Sequence, residues 1–308
     1  MITDVPGVLV GHHTRVEEGW ATGTTVVLVR DGAVGAVDSR GGAPGTRETD
    51  LLEPSNLVSS VHAVCLSGGS AYGLAAADGV MRWLSEQHVG FPVGPRPHQV
   101  VPIVPAAVLF DLDMSSWGNW PDSSFGYSAC ASAAESFELG CVGAGAGART
   151  GSLKGGVGSA SVRVGQHVVG ALAAVNAVGE VVDRSTGLPW LPSLGTVPVE
   201  LPPFVGSRLN TTIGVVATDA ALSKAECRRL AMAAHDGLAR AVRPAHSMFD
   251  GDTVFALATG AVPLAEPRPF ALDALCTAAA DVFAESIVSG VLAATSVAGV
   301  KAFRDLLR

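Results

Sequence analysis

The 308-residue chain predicts a layered α+β fold. Two observations carry that expectation. Stretches with strand character and stretches with helical character come in runs, with few of the strand–helix–strand units a Rossmann sheet is made from. No repeat with a period of about 20–50 residues is visible, which argues against a solenoid or propeller.

Taken in order, residues 24–29 (TTVVLV) read as a strand, and Asp31-Gly32 reads as the turn that ends it. Residues 71–84 have helical spacing, with Leu74, Met81 and Leu84 among small alanines. Residues 100–112 are apolar but contain Pro102 and Pro105, which suits a strand at a sheet edge or bend. The alanine-rich stretch 127–137 reads as a second helix, and 157–182 as two or three strands. Residues 186–210 then carry five prolines and neither periodicity. Long structureless segments inside compact domains are commonly functional or disordered. A strand follows at 211–217 (TTIGVVA). Ser223 and Glu226 have the spacing of a capping box, opening a helix to about Ala241. A strand at 253–259 and two helical stretches within 272–307 complete the chain.

Composition narrows the function. Hydrophobic residues make up 48% and charged residues 16%, an apolar balance that predicts a homo-oligomer burying extra surface between subunits. A net charge of −8 and 6% aromatic residues disfavour nucleic acid, which rewards basic surfaces and stacking platforms. No uninterrupted apolar run reaches the roughly 18 residues of a membrane span. The first residues show neither a basic n-region nor an apolar h-region, so a cytoplasmic location is expected. Cys65, Cys130, Cys141, Cys227 and Cys276 are spread singly, as buried free thiols rather than a disulfide frame or zinc site.

Four clusters have chemical potential. Asn210-Thr211-Thr212 stands where the proline-rich segment meets a strand. A threonine freed at a chain start can use its own α-amine as base, because that amine has a pKa of about 7.7–8.0. The same residues are also ordinary turn and strand material. Asp250-Gly251-Asp252 precedes the strand at 253; paired carboxylates can orient a hydroxyl or an ammonium, and their mutual repulsion can raise one pKa. No third carboxylate or histidine at ligand spacing stands out beside them, so no metal is expected. The glycine-rich run from Gly143 through Arg149 to Lys154 and Gly156 lets backbone amides approach a ligand or developing oxyanion. It lacks the following helix and downstream acid of a dinucleotide loop, and no Gly-Lys-Ser/Thr is present, so no nucleotide cofactor is expected. Asn176, an amide among apolar neighbours, can donate to an oxyanion or cap a turn. The histidines share no ligand spacing apart from His12-His13, and Ser67-Gly68-Gly69-Ser70 lacks the full nucleophile elbow.

In order along the chain, these segments resemble the L-aminopeptidase/D-esterase (P1) peptidases, which include the nylon-oligomer endo-hydrolases. The resemblance runs from Ile2-Thr3-Asp4-Val5-Pro6-Gly7 through the segment Leu66 to Leu74, the Val101-Pro102-Ile103-Val104-Pro105 stretch, Gly126-Tyr127, the glycine run to Lys154, Val175-Asn176-Ala177, and Asn210-Thr211-Thr212-Ile213. It implies a four-layer α-β-β-α sandwich forming one catalytic domain over 1–308. That domain would cut itself between Asn210 and Thr211 into chains 1–210 and 211–308. It further implies Thr211 as nucleophile, Asn176 as oxyanion donor, Lys154, Asp250 and Asp252 around them, and a small amide or peptide substrate. Phe110 stands where the family often has a tyrosine, so one hydroxyl of the family pattern is missing. Two other readings stay open: an acyltransferase resembling the ornithine acetyltransferases, and an uncleaved binding protein.

Overall fold

The computed structural model describes residues 1–204 and 209–307. Nine strands form one mixed sheet: β1 (Leu9–Glu17), β2 (Trp20–Ser39), β3 (Thr46–Arg47), β4 (Ser60–Ser67), β5 (Ala106–Val108), β6 (Val157–Val164), β7 (His167–Ala174), β8 (Ile213–Ala220) and β9 (Thr253–Val262). Their order is β6-β7-β8-β9-β2-β4-β5-β3, with β1 also paired to β2. Four helices join them: α1 (Ala76–Glu86), α2 (Ser123–Ala131), α3 (Lys224–Ala241) and α4 (Arg268–Ala293). The expected α+β class holds.

The Asp31-Gly32 pair does not end its strand. It makes a bulge inside β2, where the pairing with β4 shifts between Leu28 and Ala33, and the strand continues to Ser39. Extra residues in one strand bend it and increase its twist. β1 pairs with the first half of β2 and β9 with the second, so one bent strand serves two halves of the sheet. The inner faces of those halves meet in a core of Val27, Val64, Leu172, Val215 and Phe255, to which none of the four helices contributes. A second core packs α3 and α4 on β6 to β9, and a third packs α1 and α2 on β2 and β4. Among the described residues the core is thus divided in three, one part free of the four helices and two with helices against the sheet.

Two helix bounds also differ from expectation. Helix α2 begins at Ser123, where the Asp122 side chain caps the Ser124 amide. The last two helical stretches are one helix, α4, followed by a short 3-10 turn (Phe303–Leu306). Helix α4 is long and apolar enough to cross a membrane by length and composition. It is apolar nearly all round because it packs against α3, β6 and β7. The Ser223/Glu226 capping box is present as expected. In the proline-rich segment, residues 205–208 lie outside the described residues. The described remainder has no helix or strand, yet Leu194 and Val199 are buried in the α3/α4 core. All five cysteines are free, with Cys65, Cys130 and Cys227 buried.

Candidate active site

Strands β8 and β9 run parallel with Ile213 opposite Thr253. The residues leading into them therefore lie side by side, and Asn210 bridges Asp250. On the other flank, β7 is antiparallel to β8 with Ala174 opposite Ile213, which carries Asn176 to Thr211. The third side is the loop after β2, where the Arg40 and Ala43 amides donate to the carbonyls of Asp252 and Asp250 at 3.0 and 2.8 Å. Strand ends from distant parts of the chain thus surround one peptide bond, Asn210–Thr211.

That bond is buried, with Asn210 2% and Thr211 5% exposed. The Thr211 hydroxyl donates to the carbonyl oxygen of Asn210. The Gly251 amide points at both partners, 3.0 Å from Thr211 Oγ1 and 3.2 Å from the Asn210 oxygen. Only glycine permits this approach, since a Cβ at 251 would lie 2.8 Å from Thr211 Oγ1 and 2.6 Å from the Ala43 oxygen. The Thr211 amide donates to the carbonyl of Asn176.

The two aspartates hold the backbone around this bond. Asp252 accepts from the Thr212 amide at 2.8 Å and, on its other oxygen, from the His246 amide at 3.0 Å and ring Nδ1 at 2.9 Å. Asp250 accepts from the Val178 amide at 3.0 Å and from the amide and hydroxyl of Ser247. All four carboxylate oxygens have donors. Burial, reinforced by the Asp252 charge beside it, raises the pKa of Asp250.

Asn176 is fully buried. Its Oδ1 accepts from the Arg149 amide at 2.8 Å, and its Nδ2 donates to the Phe110 carbonyl at 3.0 Å, which uses one of two amide hydrogens. Lys154 is not bonded to Thr211. Its ammonium is buried and donates to the carbonyls of Gly145, Ala148 and Gly155 at 2.8, 2.7 and 2.9 Å. The glycine-rich run thus turns carbonyls inward around its own lysine, whereas the sequence suggested amides facing a ligand. One amide of that run, Arg149 N–H, does serve the site through Asn176. Burial lowers the Lys154 pKa to about 8, with Cys141 and Asp111 pulling it back upward. Lys154 therefore fixes the loop that orients Asn176. Gly155 allows the contact, since a Cβ there would fall 1.8 Å from the Val175 oxygen.

Thr211 borders a cavity of about 220 Å³ whose walls include Ala43, Ser70, Phe110, Leu209 and Phe249. A larger cavity of about 490 Å³, at Asp113, Arg149, Ser152 and Lys301, is not bordered by Thr211. Sequence reading overlooked three contributors. His246, a lone histidine six residues before Asp252, has no spacing signal, yet its ring bonds that carboxylate. Ser70 belongs to a segment without the full elbow motif, yet it lines the cavity. Gly251 acts through its amide and leaves no side-chain signature.

A model of peptidase family S58 matches residues 1–304. The chain belongs to peptidase family S58. This S58 member is a hydrolase of amide bonds. It is 53% identical over 337 residues to an uncharacterised aminopeptidase of Mycobacterium tuberculosis, covering 99% of this chain and 97% of that one. It is 33% identical over 282 residues to a 6-aminohexanoate-oligomer endohydrolase of Kocuria sp., covering 85% of this chain and 75% of the relative. A β-aminopeptidase from Burkholderia sp. superposes with a TM-score of 0.76 at 25% identity, over 100% of this chain and 94% of its own. The L-aminopeptidase D-Ala-esterase/amidase of Ochrobactrum anthropi, described as a variant of the Ntn hydrolase fold, gives 0.74 at 22% identity, over 95% of this chain and 86% of its own. That last likeness speaks to fold.

Proposed function

We propose that this S58 hydrolase cuts its own Asn210–Thr211 bond and then uses the freed Thr211 on small amide or peptide substrates. The observation that carries the proposal is the Thr211 hydroxyl lying against its own scissile carbonyl while the Gly251 amide polarises that carbonyl. In the first step Thr211 Oγ1 bonds to the Asn210 carbonyl carbon, the C–N bond breaks, and the hydroxyl proton passes to the departing Thr211 nitrogen. Water then hydrolyses the ester, giving a carboxylate on Asn210 and restoring the Thr211 hydroxyl. The new α-amine now takes the Oγ1 proton during attack on a substrate amide. Asn176 supplies an oxyanion donor from its remaining amide hydrogen. Asp250 and Asp252 hold the Thr211 segment at the strand ends.

The test is intact mass with N-terminal sequencing of folded protein. Wild type should give fragments of about 21 and about 10 kDa, in proportion to length, the smaller beginning at Thr211. Thr211→Ala should remain one species without hydrolase activity, while Thr211→Ser should retain part of both reactions. Asn176→Ala should slow turnover by about 10²–10³. Two fragments from Thr211→Ala would end the proposal. Assembly into a homo-oligomer belongs to the same reading; the exposed Trp117 and Tyr72 support it, and a monomer mass in light scattering would remove it.

A further inference from the structure

The self-cleavage step shows which part of the site receives an acyl group. One hydroxyl attacks both the precursor carbonyl and a substrate carbonyl, so the acyl residue must stand on the same side of Thr211 in both reactions. In the precursor that residue is Asn210, and its surroundings report the chemistry of the subsite. Asn210 is 2% exposed, and both its Oδ1 and Nδ2 are buried without a hydrogen-bond partner among the described residues. The described walls of the adjoining cavity carry no charged side chain. Val108, Leu109, Phe110, Leu209 and Phe249 are among its apolar members, and the polar members are Ser70, Asn210 and Thr211. Neither nearby carboxylate is free, because Asp250 and Asp252 have donors on every oxygen.

We propose that this acyl subsite is built for an uncharged, apolar side chain, and that Asn210 occupies it as a deliberately poor fit. The inference rests on Thr211 as the nucleophile. A buried amide without partners destabilises the precursor, and cleavage adds a carboxylate to the same residue with no basic side chain among the described cavity walls. Both effects drive the new chain end out, which clears the subsite for substrate. Substrates that suit it carry aliphatic or thioether side chains on the acyl residue; aspartyl, asparaginyl and lysyl groups are disfavoured by desolvation.

Self-cleavage itself provides the assay, followed as the fraction cut against time in cell-free synthesis. Asn210→Ala and Asn210→Leu are expected to cut at least as fast as wild type, and Asn210→Asp at least tenfold slower. In the uncleavable Thr211→Ala background, adding Asn210→Ala should raise Tm by about 2 °C or more. In the mature enzyme, leucinamide and methioninamide should show kcat/KM at least tenfold above asparagine amide and aspartate amide. Equal cutting of Asn210→Asp and Asn210→Ala, a lower Tm on removing the amide, or no preference for the apolar amides overturns the subsite. If Thr211→Ala is still cut, the nucleophile reading falls and takes the subsite with it. An uncut Thr211→Ala together with fast Asn210→Asp cutting removes the subsite alone.

Discussion

Thr211 and Thr212 are neighbours of the same type, both buried, and their hydroxyls have different partners. The Thr211 oxygen bonds the Asn210 carbonyl and the Gly251 amide, whereas the Thr212 oxygen is buried with no partner among the described residues. Thr212 contributes through its backbone, by donating to Asp252. Thr212→Val should therefore leave cleavage intact, since the amide remains and only an unused hydroxyl is lost; loss of cutting, seen by intact mass, would contradict this. His246 acts one residue further out. Its ring donates to the same carboxylate, and a hydrogen bond to a charged group is worth about 1.5–3 kcal/mol. His246→Ala should slow both self-cleavage and turnover by roughly tenfold or more, and His246→Asn, which keeps a donor, should restore part of the rate. Unchanged kinetics in His246→Ala would show that the backbone amides alone hold Asp252.

At the scale of elements, the site depends on how helices α3 and α4 hold the strands. Glu226 closes the capping box of α3 and also accepts from Arg268 at the start of α4 at 2.6 and 2.7 Å. The Arg268 bond, with the Ser223 donors, lowers the Glu226 pKa from 4.5 to about 2. A depressed carboxylate stabilises the fold fully above its unfolded pKa and loses that contribution as pH falls through the folded one. Glu226→Gln should lower Tm at neutral pH. The gap to wild type should shrink between pH 4.5 and pH 2, and a gap that stays constant in thermal melts would argue against the ion pair. The bulge in β2 works at the same scale: by bending one strand it lets β1 and β9 share a partner, placing the loop after β2 against Asp250 and Asp252.

Across the whole molecule, the proposed cut leaves two chains that cannot simply part. Strands β8 and β9 come after the cut, but β8 is paired to β7 and β9 to β2, both of which come before it. The second fragment therefore lies inside the sheet, with α3 and α4 covering one face. Separation would strip hydrogen bonds from two buried strands and open the largest core, so the fragments should co-elute on size exclusion under native conditions. They should separate only in denaturant, and native elution of a free small fragment would refute the interleaved sheet.

Much of the site could be read from residue types because its chemistry is local. A proline-rich segment running into Asn210-Thr211-Thr212, and two aspartates flanking a glycine before a strand, are visible as written, and the Ser223/Glu226 box fixed a helix start to the residue. Asn176 stood out as an amide among apolar neighbours, and family resemblance placed it and Lys154 beside Thr211. Tertiary structure decided what depends on register and packing. The parallel pairing of Ile213 with Thr253 brings Gly251 against Thr211, and a backbone amide has no sequence signal. Bending at Asp31-Gly32 makes a bulge where local propensity suggested a turn, because β4 and β9 pair with the strand on either side. His246 reaches Asp252 through the fold of a loop, which no spacing rule anticipates. Lys154 meets carbonyls instead of Thr211 because a buried ammonium takes the nearest acceptors, and the glycine-rich backbone provides three.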